Sequence, residues 1–261
     1  MTDTLPRLPK LRLFVAADIG DGAVVTLSRE QTHYLANVMR AAPGDAVALF
    51  NGRDGEWTAR IDALAKRGAE LTVAQRTRAQ ATEPDLWLAF APIKRGRIDW
   101  VAEKATELGV ARLMPVMTAR TQMSRVNVER LAANAIEAAE QCERMTVPPV
   151  DPPVRFDALL AAWPRHRILY VGDETGQGRP LAELLQGAAA GGSAANGAAV
   201  PRGVLVGPEG GFAPDELDAL DVLPFVRKIS LGPRVMRADT AAIAALAVIQ
   251  ALAGDWRAAR R

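Results

Sequence analysis

RGVLVGPEGGFAPDELDAL, residues 202–220, carries an apolar run into a Gly-Pro-Glu-Gly-Gly turn and out again into a helix start. The run GVLV, bounded by turn chemistry, reads as a buried strand. Pro214 suits the first position of a helix, and Asp215 and Glu216 complement the helix dipole there. Ala213 is a poor cap, where Ser or Thr would gain about 1 kcal/mol. The stretch therefore predicts strand, turn and helix in succession. In an open parallel sheet, ligands gather beyond the carboxyl ends of the strands, and this turn is such an end. It has neither the GK[ST] of a phosphate loop nor a GxGxxG pattern, and Glu209 would repel an anion, so a phosphate cradle is a poor fit. A tight turn with a solvated glutamate is the plain alternative.

The design recurs at residues 230–252, SLGPRVMRADTAAIAALAVIQAL. A strand end and Leu-Gly lead through an irregular run to Asp239, predicted as the N-cap of the last helix. That helix is apolar almost all round, which predicts burial between its own sheet and a partner subunit. Arg237 stands two residues before the expected cap and has no obvious partner in the sequence.

Outward from these turns the chain alternates strands and helices. WLAFAPI, RLMPVMT, RILYVGDE and VRKISLG read as further buried strands. RIDWVAEKATELG reads as a helix stopped by Gly109, and VERLAANAIEAAEQCERM as a long helix with Leu131, Ala135, Ala138, Cys142 and Met145 on one face. The alternation predicts an α/β fold with a parallel sheet over residues 83–261. Residues 1–76 differ. Short apolar runs between turns such as Pro43-Gly44-Asp45 and Asn51-Gly52 predict a small β-barrel or closed sheet. One short helix, THYLANVMR, is expected among them, capped by Thr32 and with Leu35, Val38 and Met39 on one face. Polar residues 77–82 are the expected linker. The Gly- and Ala-rich segment 186–203 is expected to be a flexible insertion without structure.

With 261 residues, about half of them apolar, the chain can support two cores. Its 32 basic and 30 acidic side chains nearly balance, so a nucleic-acid site must be a local patch. One cysteine, Cys142, excludes a disulfide within the chain. Two histidines and that cysteine offer no metal-ligand cluster. Neither a signal-type N-terminus nor a membrane-spanning run is present, so a cytoplasmic protein is expected.

Taken together, LVGPEGGFAPDEL and SLGPRVMRADTAA resemble the C-terminal signature of the SPOUT-class RNA methyltransferases. More narrowly, the chain is similar to the RsmE type, which methylates N3 of a uridine in small-subunit ribosomal RNA. HYLANVMRAAPGD and FNGRDGEW resemble that family's N-terminal PUA-like barrel, and KRGRIDWVAEKATELGV and AIEAAEQCER its middle helices. Asp239 stands where the family usually has Glu, and Val235-Met236 where it usually has Ile-Leu.

The resemblance implies a SPOUT domain with a parallel sheet and a deep trefoil knot, joined to a PUA-like RNA-binding domain. It implies S-adenosyl-L-methionine as cofactor, 16S rRNA or the 30S subunit as partner, and a homodimer. Val206, Gly207, Pro208, Gly210, Gly211, Leu231, Gly232, Val235 and Met236 would form the cofactor pocket, with bare peptide groups for the edge of the adenine. Arg237 would stabilise and orient the reacting uracil. Asp239 or Glu209 would accept its proton or orient it, Glu209 alternatively holding the knot loop through backbone N–H groups. Arg12, His33, Arg40, Lys94, Arg95 and Arg97 would contact RNA.

Overall fold

In the computed structural model, which describes residues 11–65, 68–94, 96–190 and 200–257, the chain forms two compact units. One comprises Met1–Thr82 with Ala139–Val147, the other Glu83–Ala138 with Pro148–Arg261.

The first unit contains strands β1 (Arg12–Phe14), β2 (Val24–Thr26), β3 (Ala46–Phe50), β4 (Glu56–Ala65) and β5 (Gly68–Arg78), in the order β1-β3-β4-β5-β2. The sheet is mixed: β1 runs parallel to β3, and the other pairs are antiparallel. No ladder joins β1 to β2 among the described residues, so hydrogen bonding leaves a sheet with two edges where a barrel was expected. Its core is the inward-facing set Leu13, Val25, Val47, Leu49, Ala59, Ile61, Leu71 and Val73. β5 runs on to Arg78, so the polar residues Gln75–Arg78 are the end of a strand and the expected linker begins inside it.

The short helix departs from expectation in start and pitch. Helix α1 (Arg29–His33) is capped by Ser28, whose hydroxyl accepts from the N–H of Gln31 while the Gln31 side chain accepts from that of Ser28. Thr32, predicted as the cap, is buried, and its hydroxyl donates to the Ser28 carbonyl. Tyr34–Val38 then widens into a π-helical turn. The wider pitch rotates later residues out of an α-helical face. Leu35 is fully buried, whereas Val38 and Met39 are exposed.

Arg12, expected on RNA, is an internal strut of this unit. Its side chain is 7% exposed; Nε donates to Glu56 at 2.6 Å, and Nη1 and Nη2 donate to the carbonyls of Ala139 and Arg144. The guanidinium also lies 3.7 Å from the Phe50 ring centre. Burial holds it below the ordinary arginine value, and Glu56 pulls the other way. Buried, and with each of its three nitrogens donating to protein, Arg12 has almost no surface to offer RNA, and the RNA role is withdrawn.

The second unit is built on seven parallel strands: β6 (Leu86–Phe90), β7 (Arg112–Met117), β8 (Val154–Arg155), β9 (Ile168–Gly172), β10 (Arg179–Pro180), β11 (Arg202–Val206) and β12 (Val226–Ser230). Their order is β10-β12-β9-β11-β6-β7-β8. Period-two alternation sorts the side chains into two cores. Leu86, Leu88, Phe90, Tyr170, Val204, Val206 and Ile229 face helices α2 (Arg97–Glu107), α5 (Leu181–Ala190) and α7 (Ala238–Ala253). Ala89, Leu169, Val171, Leu205 and Val226 face α4 (Phe156–Ala162) and α6 (Pro214–Asp221). Helices on both faces are what parallel strands require.

Helix α3 (Val128–Gln141) stops short of Cys142 and Met145, and Glu143 then takes a positive φ of 65°. The small-residue segment is partly ordered: α5 extends to Ala190 and β11 begins at Arg202, while residues 191–199 lie outside the described residues. Helix α7 is covered on its inner face by β11, α2 and α5.

The one polar residue in the apolar stretch of α7 has a structural task. Gln250 is fully buried; Nε2 donates to the Leu108 carbonyl at 2.6 Å, where α2 ends, and Oε1 accepts from the Asp255 N–H. Gln250→Leu strands both groups and is expected to cost about 1–3 kcal/mol of stability. Urea unfolding of the variant checks this; an unchanged midpoint would show that the bonds are not needed.

Candidate functional site

Because neighbouring strands run parallel from β12 through β9, β11 and β6 to β7, their carboxyl ends share one edge of the sheet. β11 and β12 flank β9, so their exits stand two strand spacings apart, about 10 Å. The Gly207–Phe212 turn leaves one, the Leu231–Arg237 run leaves the other, and Asp173-Glu174 leaves β9 between them. Thus the structure brings both glycine turns to one edge.

The first turn is clamped from three sides. Gly211 has φ +68°, and a Cβ there would fall 1.9 Å from Glu174 Oε1. That same oxygen accepts from the Phe212 N–H at 3.2 Å. The Gly211 N–H closes the turn onto the Pro208 carbonyl, and Arg120, just past the end of β7, donates Nη1 to the Gly210 carbonyl at 2.8 Å. Glu216 spans to the exit of β7, beyond β6: Oε2 accepts from the Ala213 N–H and Oε1 from the Ala119 N–H, both at 2.8 Å. This is one half of a capping box; the other half, a side chain at position 213 accepting from the N–H of Glu216, is missing because alanine has no acceptor. Glu209 is exposed and makes no bond of this kind among the described residues. Holding the turn is the task of Glu174, Arg120 and Glu216, and the loop-holding role considered for Glu209 is corrected accordingly.

Val206 and Pro208 are buried beneath the turn; the Val206 carbonyl accepts from Ala91, and Val206 belongs to the apolar core. They form floor rather than wall. Gly207 has the Phe212 ring about 3.0 Å from where its Cβ would be, so a larger residue there fits only if the ring gives way by a few tenths of an ångström.

The second turn is open. Gly232 has φ +113°, Leu231 and Met236 are half-buried, and Val235 is 88% exposed. The N–H groups of Arg234, Val235 and Met236 make no hydrogen bond to another described backbone group. Bare peptide groups therefore point from this stretch with their hydrogen-bonding capacity unspent.

Asp239 is not the cap of α7. The helix begins one residue earlier, with Arg237 at the N-cap position and no side-chain cap bond, which puts Asp239 in the first turn. Its Oδ1 accepts from the Thr240 N–H at 2.8 Å, and its Oδ2 lies 3.4 Å from Arg97 Nη1. Arg97 is thereby drawn to α7. The Arg237 carbonyl accepts from the Ala241 N–H, but its exposed side chain has no hydrogen bond or ion pair among the described residues. A cation beside a helix N-terminus opposes the dipole by about 0.3–1 kcal/mol, so stability does not explain it.

Lys94 and, in the first unit, His33 and Arg40 are exposed; Arg95 lies outside the described residues. Arg40 takes φ 55°, a left-handed conformation that costs a side-chain-bearing residue about 1–2 kcal/mol. Among the described residues no group of three His, Cys, Asp or Glu side chains is placed to hold a metal ion, and no helix is long and apolar enough to cross a membrane.

Arg120, Asp173, Glu174 and Glu216 were not among the expected site residues. Asp173 and Glu174 directly follow β9 and Arg120 lies three residues past β7, so the signal for them is a charged residue at a strand exit other than the last two.

Comparison with known proteins bears on the same two units. A family model described as an RNA methyltransferase domain matches residues 81–250, and one described as an RNA methyltransferase PUA domain matches residues 27–74. The ribosomal RNA small subunit methyltransferase E of Rickettsia conorii is 31% identical over 92% of this chain and 95% of its own length. That of Synechocystis is 32% identical over 92% and 77%. Among solved structures, a Legionella pneumophila methyltransferase in complex with its cofactor SAM superposes with a TM-score of 0.81 at 29% identity, covering 95% of this chain and 99% of that one. The Neisseria gonorrhoeae ribosomal RNA small subunit methyltransferase E bound to S-adenosyl methionine gives 0.81 at 26%, over 96% and 100%. Relatives that match both units nearly end to end, on a sheet whose glycine turns share one edge, show that the chain belongs to the ribosomal RNA small subunit methyltransferase E family of RNA methyltransferases.

Proposed function

We propose that the chain is an S-adenosyl-L-methionine-dependent methyltransferase acting on N3 of a specific uridine in 16S rRNA, as free rRNA or within the 30S subunit. The observation that carries this reading is the shared carboxyl edge, where two turns of bare peptide flank the end of β9.

The residues fit the methyl donor. The N–H groups of residues 234–236, which bond to no other described backbone group, can meet the edge of an adenine. Leu231 and Met236 offer apolar walls. Bound there, S-adenosylmethionine supplies a methyl group on a positively charged sulfur. The chain's own residues prepare the acceptor. Uracil N3 carries a proton, and its loss spreads negative charge over the imide. Arg237, with no other partner, stabilises that charge and orients the ring. Glu209 has both oxygens free and takes the proton. Asp239, with both oxygens engaged, orients the site through Arg97 and the first turn of α7.

His33, Arg40 and Lys94 grip RNA, from which the uracil must be unstacked or already splayed. A second copy of the chain covers the exposed Val235 in a homodimer. The trefoil knot belongs to the same proposal. It is supported by a strand order in which β11 and β12 are each inserted between earlier strands before α7 returns over β11. A cytoplasmic location follows from an rRNA substrate.

The test uses 16S rRNA and 30S subunits from cells lacking the protein. Incubation with labelled S-adenosylmethionine, followed by mass-spectrometric mapping, is expected to yield N3-methyluridine at one position. Label on a ribose or in transfer RNA would redirect the substrate assignment. Donor binding without transfer to any RNA would indicate an assembly factor.

A further inference from the structure

Between the two glycine turns, the end of β9 holds a carboxylate oxygen with nothing to accept. Asp173 Oδ1 is fully used, accepting from the Thr175 N–H at 2.9 Å and the Thr175 hydroxyl at 2.7 Å. Oδ2 is buried and has no hydrogen-bond partner. The Asp173 N–H donates to the Ile229 carbonyl, which ties the residue to the last turn of β12. Its position is thus set by backbone and side chain alike.

Other buried atoms without partners have simpler accounts. Asp99 Oδ1 and Arg130 Nε face one another in a 2.9 Å ion pair. The remaining three are guanidinium Nε atoms of Arg144, Arg167 and Arg202, each with another nitrogen of the same group bonded. Among the described residues, Asp173 Oδ2 is the one buried carboxylate oxygen with neither an ion pair nor a hydrogen bond. Leaving an anionic acceptor buried and unpaired is costly, and the cost persists where a ligand recovers it. The place is where ligands of parallel sheets sit.

We infer that Asp173 Oδ2 accepts a hydrogen bond from a donor group of the bound methyl donor, either a ribose hydroxyl or the ammonium of its amino-acid end. The inference rests on the proposed donor site. It adds an anionic contact from β9 to a cleft otherwise made of peptide groups and apolar side chains. Both candidate groups present N–H or O–H to a carboxylate, which is the shared chemistry; their positions on the molecule tell them apart.

Asp173→Asn is the decisive substitution. The two Thr175 donors hold the remaining oxygen inward, so the amide NH2 takes the place of Oδ2. An acceptor becomes a donor while the turn is kept: an ammonium then meets a like partner, and a hydroxyl must turn its lone pair to the amide and loses its anionic acceptor. Isothermal titration of the full chain with S-adenosylmethionine is expected to show binding weakened by about 10- to 100-fold, as for loss of a charge-assisted hydrogen bond. The thermal midpoint of the donor-free protein should be unchanged or raised, because no native bond is lost. 5′-Methylthioadenosine, which keeps the ribose and lacks the amino-acid end, separates the two groups. Equal weakening of both ligands assigns the ribose hydroxyl, and weakening of S-adenosylmethionine alone assigns the ammonium. Binding of S-adenosylmethionine by the variant within twofold of wild type overturns the inference. So does a lowered donor-free midpoint, which would make Asp173 a structural residue. Failure of the wild-type chain to bind S-adenosylmethionine would instead overturn the donor site itself, before any variant is made.

Discussion

Replacing Arg237 by Ala should lower kcat by about 10²–10³-fold, the usual cost of removing one preorganised donor to a developing negative charge. The affinity for S-adenosylmethionine should change little, since the Arg237 side chain is not part of the proposed donor site. Stability should hold or rise slightly, because the substitution removes a cation from the N-terminal end of α7. A structural arginine would give the opposite pattern, with a lower unfolding midpoint and near-normal turnover of the folded fraction. Arg237→Lys keeps the charge and loses the planar fork, so it should recover only part of the rate. Single-turnover assays at saturating donor and RNA, with thermal unfolding alongside, check all of this. Turnover of the Ala variant within threefold of wild type would remove Arg237 from the chemistry.

Gly211→Ala should be nearly as damaging by another route. At φ +68° an alanine is strained by about 1–2 kcal/mol, and its Cβ displaces the Glu174 carboxylate, which loses the Phe212 N–H. A further ~1 kcal/mol of folding stability goes with that bond, and because the strain is relieved by moving the turn that forms the proposed site, donor affinity should fall by about 10-fold or more. Much of the effect lies in a clash between two named residues, so the cycle with Glu174→Ala should be non-additive, the double variant binding better than the summed losses imply. Titration calorimetry on the four proteins gives the coupling. Additive losses would mean that Glu174 does not hold the turn.

The outline of the second unit was legible because parallel strands buried on both faces leave near-continuous apolar runs. GVLV, WLAFA and ILYV stand out whatever surrounds them, and Gly109 and Pro214 mark helix ends by backbone chemistry alone. The first unit was less legible. A π-helical turn has no periodicity of its own, so Val38 and Met39 were placed on a face that the wider pitch turns outward. Ser28 was passed over for Thr32 because the reciprocal bond from Gln31 was not weighed.

In the site, residues that present backbone were visible as glycines. Side chains that hold the backbone were not, since Glu174 and Arg120 come from other strand exits, Glu216 sits in the first turn of α6, and the partners of Glu174 and Arg120 lie far away in sequence. Arg12 shows the converse. The resemblance implies an RNA contact for this basic residue, yet burial beside Glu56 commits it to the interior.

That commitment bears on how the molecule is partitioned. Two of Arg12's hydrogen bonds end on carbonyls of the excursion Ala139–Val147, which returns to the first unit from the middle of the sequence. The protein is therefore not two beads on a string. A gene fragment cut at the apparent boundary would encode a sheet lacking its own buttress, with a buried cation left short of acceptors, so recombination could graft this module elsewhere intact only by carrying both pieces.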